Sequence, residues 1–160
     1  MSVQRLGPGE AQRLREIRLR ALQEAPDAFC STYAETSQRP LASWVQQLAD
    51  LPTFVAVQGA RDVGMVRTAP IEAAPGVHGV ISMWVAPETR GRGIGAQLIE
   101  AVVAWGRAER VTELRLEVAD DNVSAIGLYE RMGFSRTGAT STLPPPRQHL
   151  GLHERALRLT

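Results

Sequence analysis

Apolar residues fall every three to four positions in some stretches of this chain and every second position in others, and the two periods alternate. Residues 2–6 read as a short first strand. Pro8 suits the first turn of a helix, where its missing N–H costs nothing. Leu14, Ile17 and Ala21 then share one helical face up to about Glu24, and Pro26 ends the run. A second helix is expected over residues 40–51, with Leu41, Trp44, Val45 and Leu48 at helical spacing. Strands follow at residues 53–58 and 63–68, joined by the turn-like Gly59-Ala60-Arg61-Asp62, so a hairpin is expected. Residues 79–85 form a strongly apolar strand. Residues 91–109 give the clearest helix, with Ile94, Leu98, Ala101, Val102 and Trp105 as its buried stripe. Residues 113–118 are a strand with Leu114, Leu116 and Val118 on one face, and residues 122–132 are a helix stopped by Gly133. Closing strands are expected at residues 134–138 and 150–159, on either side of Pro144-Pro145-Pro146. This order is that of an α/β (α+β) domain, a mixed central sheet with about four helices on its faces.

A length of 160 residues suits a single domain over residues 1–160. The chain is 44% hydrophobic, enough for a core, and 18 basic against 17 acidic residues leave a formal net charge of +1. No long-range field toward nucleic acid or a membrane surface follows from that balance, so any anion site must be local. Cys30 is the only cysteine, which excludes an internal disulfide and suits a reducing, cytoplasmic setting. Residues 1–20 alternate charges, unlike a signal peptide. No apolar run approaches the roughly 18 residues of a membrane span.

The local anion site is the junction of the apolar strand and the clearest helix, where Arg90, Gly91, Arg92, Gly93, Ile94 and Gly95 follow one another. A helix N-terminus leaves about four N–H groups without internal partners and carries roughly half a positive charge. Glycine lets phosphate oxygens approach that backbone, and Arg90 and Arg92 add charge-assisted donors. Gly91-x-Gly93-x-x-Ala96, with Glu117 near the end of the next strand, also fits the spacing of a dinucleotide fold, hence of an NAD-binding oxidoreductase. Two features weigh against it. Residues 86–90 separate the strand from the first glycine, and the motif follows a hairpin instead of opening a βαβ unit.

Val85-x-Pro87 and Arg90-x-x-Gly93-x-Gly95 are followed by Leu116-Glu117-Val118, Asn122, Ala125, Leu128-Tyr129-Glu130 and Gly133-Phe134. Together they resemble the GNAT family of N-acetyltransferases, over about residues 53–137. The second block is most similar to the amino-terminal acetyltransferases of ribosomal proteins. The resemblance implies that the parallel strands at residues 79–85 and 113–118 splay apart. It implies that the pyrophosphate of acetyl-CoA lies on Arg90, Gly91, Arg92, Gly93, Ile94 and Gly95. It also implies that the pantetheine arm pairs with the main chain of Met83, Trp84 and Val85 like an added strand. The side chains of Met83 and Trp84 are expected in the core. Asn122 is expected to cap its helix and, by the resemblance, to touch the same arm. Ser124 and Arg131 are lesser expectations for phosphate or adenosine.

Acetyl transfer from a thioester needs a neutral amine. An alkyl ammonium with pKa near 10.4 is neutral in only about one molecule in a few thousand at pH 7. A base must take its proton, a donor must meet the leaving thiolate, and a backbone N–H must steady the oxyanion. The resemblance makes Tyr129 the acid facing the sulfur; by itself Tyr129 reads as a buried aromatic anchoring its helix. Glu117 stands 12 residues before Tyr129, as in the ribosomal-protein enzymes it resembles, and points away from Leu116 and Val118. It is the first candidate base or else a solvated strand residue, with Glu72, Glu88 and His78 as rivals. His149-x-x-x-His153 has ligand-like spacing but reads as a strand after prolines, so no metal is expected. Cys30 reads as a small buried hydrophobe. The expectation is direct transfer to the amine of a small molecule or peptide, entering beside residues 25–45 and the Pro144 loop, with no nucleic-acid or membrane partner. A homodimer, and a non-catalytic CoA-binding regulatory domain on the same fold, stay open.

Overall fold

The structure is a computed structural model and describes residues 1–160. Strands β1 (Ser2–Arg5), β2 (Thr53–Gln58), β3 (Arg61–Pro70), β4 (Val77–Val85), β5 (Glu113–Ala119), β6 (Ser135–Thr142) and β7 (Gly151–Arg158) form one sheet in the order β1-β2-β3-β4-β5-β7-β6. Every neighbouring pair is antiparallel except β4 and β5. The helices are α1 (Ala11–Glu24), α2 (Tyr33–Thr36), α3 (Leu41–Asp50), α4 (Ile94–Ala108) and α5 (Val123–Arg131). α4 is the crossover that a parallel β4–β5 pair requires. α1 and α4 both pack on β3, and between them Leu14, Ile17, Leu98, Ile99 and Val102 are wholly buried. Each such side chain contributes about 1.5–3 kcal/mol of burial. This is the mixed α/β fold that the periodicity predicts. No helix is long and apolar enough to cross a membrane.

Several local expectations are corrected. Pro8 and Gly9 form a turn, and α1 begins only at Ala11. The Gly7 N–H donates to Glu10 Oε1 at 2.9 Å, which ties the turn down ahead of the helix. α4 begins at Ile94 because Gly91 and Gly93, at φ +80° and +79°, lie outside the helical range. Trp44 of α3 is fully buried, but Leu41 and Val45 are 58% and 53% exposed. α3 rests on α1 and so has only one covered side. Ala101 and Trp105 of α4 are half-buried. α2 was not expected; Thr32 nucleates it by accepting the Glu35 N–H at 3.3 Å. Cys30 is exposed, not buried. His153 lies in β7, in keeping with the strand reading of its segment, where its Nδ1 bonds Asp120 at 2.8 Å, and His149 lies in the turn before it.

The feature that matters most for a site is the short contact between β4 and β5. They pair only at Val77, His78 and Gly79 with Glu113, Leu114 and Arg115. Beyond Gly79 the strands part. A bulge at Ser82, φ +57°, shifts the β3–β4 register between the Met65–Trp84 and Arg67–Ile81 pairs. A bulge bends and twists its strand, which takes the end of β4 away from β5.

Candidate active site

The parting of β4 and β5 opens a cleft of about 1000 Å³. Both strands line it, as do residues 93–96, Asn122, Leu128 and Tyr129. In one part of the lining the backbone itself is the ligand surface. None of the N–H groups of residues 91–96 donates a hydrogen bond within the protein. A Cβ built on Gly91 or Gly93 meets nothing within 4 Å, so the space beside those N–H groups is open. Gly95 has a different role. A Cβ there would come within 2.9 Å of Leu128 Cδ2 and 3.4 Å of Met83 Cε, so its hydrogen lets the start of α4 approach α5. Free donors at the positive end of a 15-residue helix make an anion site.

The two arginines of this motif are placed differently, Arg90 in the lining of the cleft and Arg92 outside it. Arg90 donates from Nε to the Val85 carbonyl at 3.0 Å and from Nη2 to Glu24 at 2.8 Å, bracing the end of β4 against α1. Arg92 is exposed. Trp84 is buried, as expected, and its Nε1 donates to Glu24 at 3.2 Å. Met83 and Val85 are half-buried and line the cleft.

Asn122 Oδ1 accepts the Ala125 N–H at 3.2 Å and starts α5. That helix carries Tyr129 into the cleft wall, its ring tilted against Phe134 with centroids 5.9 Å apart. Tyr129 is buried, its hydroxyl has no protein partner, and burial pushes its pKa upward. The phenol therefore keeps its proton throughout the working pH range.

Glu117 of β5 lines the cleft with an exposed side chain, while its neighbours Leu116 and Val118, which also line it, are buried in the core. It accepts a hydrogen bond from Ser141 Oγ. Directly across β7 stands Glu154, which also lines the cleft and accepts from Thr137 Oγ1 at 2.8 Å. The rivals for the base lie elsewhere. Glu88 pairs with Arg61 at 3.0 Å, Glu72 is in an exposed turn, and His78 packs edge-on to Trp105, where burial lowers its pKa. None of the three lines the cleft. Ser124 and Arg131 do.

A further part of the cleft lining, Arg18 and Arg67, was not foreseen. Arg67 of β3 holds the bulge by donating from Nε and Nη2 to Ser82 Oγ at 2.9 and 2.8 Å, and from Nη1 to Gln47 Oε1 at 2.8 Å. Arg18 of α1 lies 4.5 Å over the Phe29 ring. Burial pushes both guanidinium groups well below their ordinary pKa. Arg147 clasps the carbonyls of Pro26, Phe29 and Cys30 at 2.6, 3.0 and 3.0 Å, so the Pro144 loop is tied to the loop after α1. The one sequence cue was that Arg18 stands four residues after Leu14, inside an apolar stripe. No group of three or more His, Cys, Asp or Glu residues is placed to hold a metal ion.

A family model described as the acetyltransferase (GNAT) family matches residues 13–134. The chain is 36% identical over 95 residues to the streptothricin acetyltransferase of Streptomyces lavendulae, covering 59% of this chain and 50% of that protein. It spans about half or less of the length of the curated relatives it matches. In fold it is similar to the ribosomal-protein-alanine N-acetyltransferase of Brucella melitensis, with a TM-score of 0.80 at 21% identity over 99% of both chains. It is also similar to yncA of Salmonella typhimurium, solved with its cofactor acetyl-CoA, with a TM-score of 0.79 at 21% identity over 100% of this chain and 94% of that one.

Proposed function

The chain belongs to the acetyltransferase (GNAT) family, and from that premise we propose that it moves an acetyl group from acetyl-CoA directly to a primary amine. The observation that carries the reading is the parted strand pair ending at the free N–H groups of residues 91–96. Those groups suit a pyrophosphate, and the edge of β4 at Met83, Trp84 and Val85, freed from β5, suits the amides of a pantetheine arm. Asn122 lines the same cleft. Acetyl-CoA, when bound, supplies the activated thioester. The chain supplies the proton transfers. Tyr129 keeps a phenolic proton to give to the departing sulfur, and Glu117 takes the proton of the incoming ammonium. Glu154, across from Glu117, adds a second negative charge that favours that ammonium.

A parallel contact limited to Val77–Gly79 is not the doubly wound parallel sheet of a dinucleotide fold, which leaves the NAD reading without support. Residues 1–160 are read as one catalytic unit, working in the cytoplasm on the amine of a small molecule or a peptide. Calorimetric titration with acetyl-CoA and NADH, followed by thiol release over a panel of amines, tests the proposal. Acetyl-CoA binding with amine-dependent thiol release is expected. Acetyl-CoA binding with no amine-dependent release would point to a CoA-binding regulatory domain, and tighter binding of NADH would sink the reading.

A further inference from the structure

We infer that the amine accepted by this cleft also carries a carboxylate, as a free amino acid does, with Arg18 and Arg67 receiving the carboxylate and Glu117 and Glu154 facing the ammonium. The inference rests on the acetyl-transfer reading above. Its basis is an unusual charge count inside the fold. Arg18, Arg67 and Arg155 are the buried arginines, 5%, 6% and 6% exposed. Arg155 has the partner such a cation ordinarily needs, Glu130 at 3.2 Å. Arg18 and Arg67 form no ion pair.

Arg67 is held by the neutral oxygens of Ser82 and Gln47 alone. Arg18 makes no hydrogen bond, and its Nη1 is enclosed without a partner. The ionisable group that bears on Arg18 is the Cys30 thiol; those that bear on Arg67 are two further cations, Arg18 and Arg39. Taking a guanidinium out of water without a counter-charge is costly, and setting it near another cation adds to the cost. The Phe29 ring under Arg18 and the neutral oxygens on Arg67 offset part of that cost, but no counter-charge in the protein meets either group.

Both arginines line the cleft, where a ligand can meet them. A carboxylate supplies the counter-charge that both guanidinium groups lack, the anion with which guanidinium pairs well. The location agrees. Arg67 is fastened to Ser82, the bulge at which β4 leaves β5, and Glu117 and Glu154 line the same cleft from β5 and β7. One cleft thus presents a cation pair and a carboxylate pair, the complement of a zwitterion. A polyamine would bring only positive charge to Arg18 and Arg67 and is disfavoured.

The test measures thiol release from acetyl-CoA with free L-amino acids, their carboxamides and their decarboxylated amines, for wild type and Arg18→Met. A melting curve is recorded for each protein with and without the same compounds. Free acids are expected to exceed the matched amides by about 10- to 100-fold in kcat/KM, the range of a charge-assisted bond. Arg18→Met should erase that preference through KM, melt higher than wild type without ligand, and lose the acid-dependent rise in Tm. If Arg18→Met fails to fold, Arg18→Gln carries the same measurements. Equal turnover of acids and amides, a preference that survives in the variant, or a lower Tm for ligand-free Arg18→Met overturns the inference and leaves acetyl transfer standing. An acid-dependent rise in Tm with no thiol release keeps the carboxylate site and overturns acetyl transfer. Neither thiol release nor a rise in Tm with any compound overturns both.

Discussion

Where the proposal seats the acetyl donor, the cleft surface is main chain: the N–H groups of residues 91–96 and the unpaired edge of β4, with glycines keeping side chains out of the way. Where the proposal seats the acceptor, the cleft surface is side chain: Arg18 from α1, Arg67 from β3, Glu117 from β5 and Glu154 from β7. The two constructions fail in opposite ways. A backbone surface tolerates the loss of nearby side chains and is destroyed by adding one. A side-chain surface tolerates changes of its scaffold that keep the groups in place and is lost by truncating them.

The sharpest break of the donor surface is Gly93→Val. It adds a branched side chain to open space at a φ of +79°, where β-branched residues are strained. Losing two charge-assisted N–H contacts at about 1.5–3 kcal/mol each gives more than a hundredfold weaker acetyl-CoA binding. Calorimetry measures it, and Gly93→Ala with a melting curve separates blocked space from backbone strain. A folded Gly93→Val protein with wild-type affinity would remove the cradle from the account.

Tyr129→Phe comes next and belongs to neither surface. Burial alone, with no hydrogen bond from the protein, sets the state of its hydroxyl, so the variant keeps the ring and breaks no protein hydrogen bond. As a general acid it should account for about 10²-fold in kcat, with acetyl-CoA affinity little changed. Full kcat in the variant, measured where chemistry limits the rate, reduces Tyr129 to a packing residue beside Phe134.

The same contrast decides what could be read in advance. A backbone site is contiguous, so Arg90 to Gly95 announced it, although the helix start slipped because positive φ at Gly91 and Gly93 leaves no mark on periodicity. Strand positions were legible because each strand buries one face, as Leu114, Leu116 and Val118 do. α3 misled because helical spacing does not say whether a helix meets one neighbour or two, and Leu41 and Val45 stay in solvent. The acceptor surface was opaque for a stronger reason. Arg18 and Arg67 are far apart in sequence, and an arginine in an apolar stripe looks the same whether it snorkels to water or is buried. Glu117 and Tyr129 acquired roles only through the family resemblance; the register that sets Glu154 opposite Glu117 comes from long-range pairing.

Glu117→Gln probes the acceptor surface with a smaller expected effect, about tenfold in rate at pH 7, because Glu154 remains nearby. The sign of its pH response is informative. An acceptor ammonium has pKa near 10.4, so raising the pH increases the neutral fraction without help from a base. A variant that has lost a base therefore recovers part of its rate as pH rises. A drop with no recovery makes Glu117 a clamp for the ammonium, and a wild-type rate at every pH makes it a bystander.

The smallest effect is expected from Arg90→Ala, and it tests the comparison most directly. The motif suggested that this arginine grips phosphate, yet its guanidinium is occupied by Glu24 and the Val85 carbonyl. An exposed ion pair of this kind contributes about 0–1 kcal/mol, so acetyl-CoA affinity should fall by less than about fivefold. The companion Glu24→Gln weakens Arg90's hold and leaves the N–H groups of residues 91–96 untouched. If the main chain carries the anion, Glu24→Gln also leaves the affinity within a few-fold of wild type. A hundredfold loss in Arg90→Ala, with a gain in Glu24→Gln, would mean that Arg90 swings from Glu24 to the ligand. The donor surface would then depend on a side chain as the acceptor surface does, and the contrast between them would reduce to one of sequence distance.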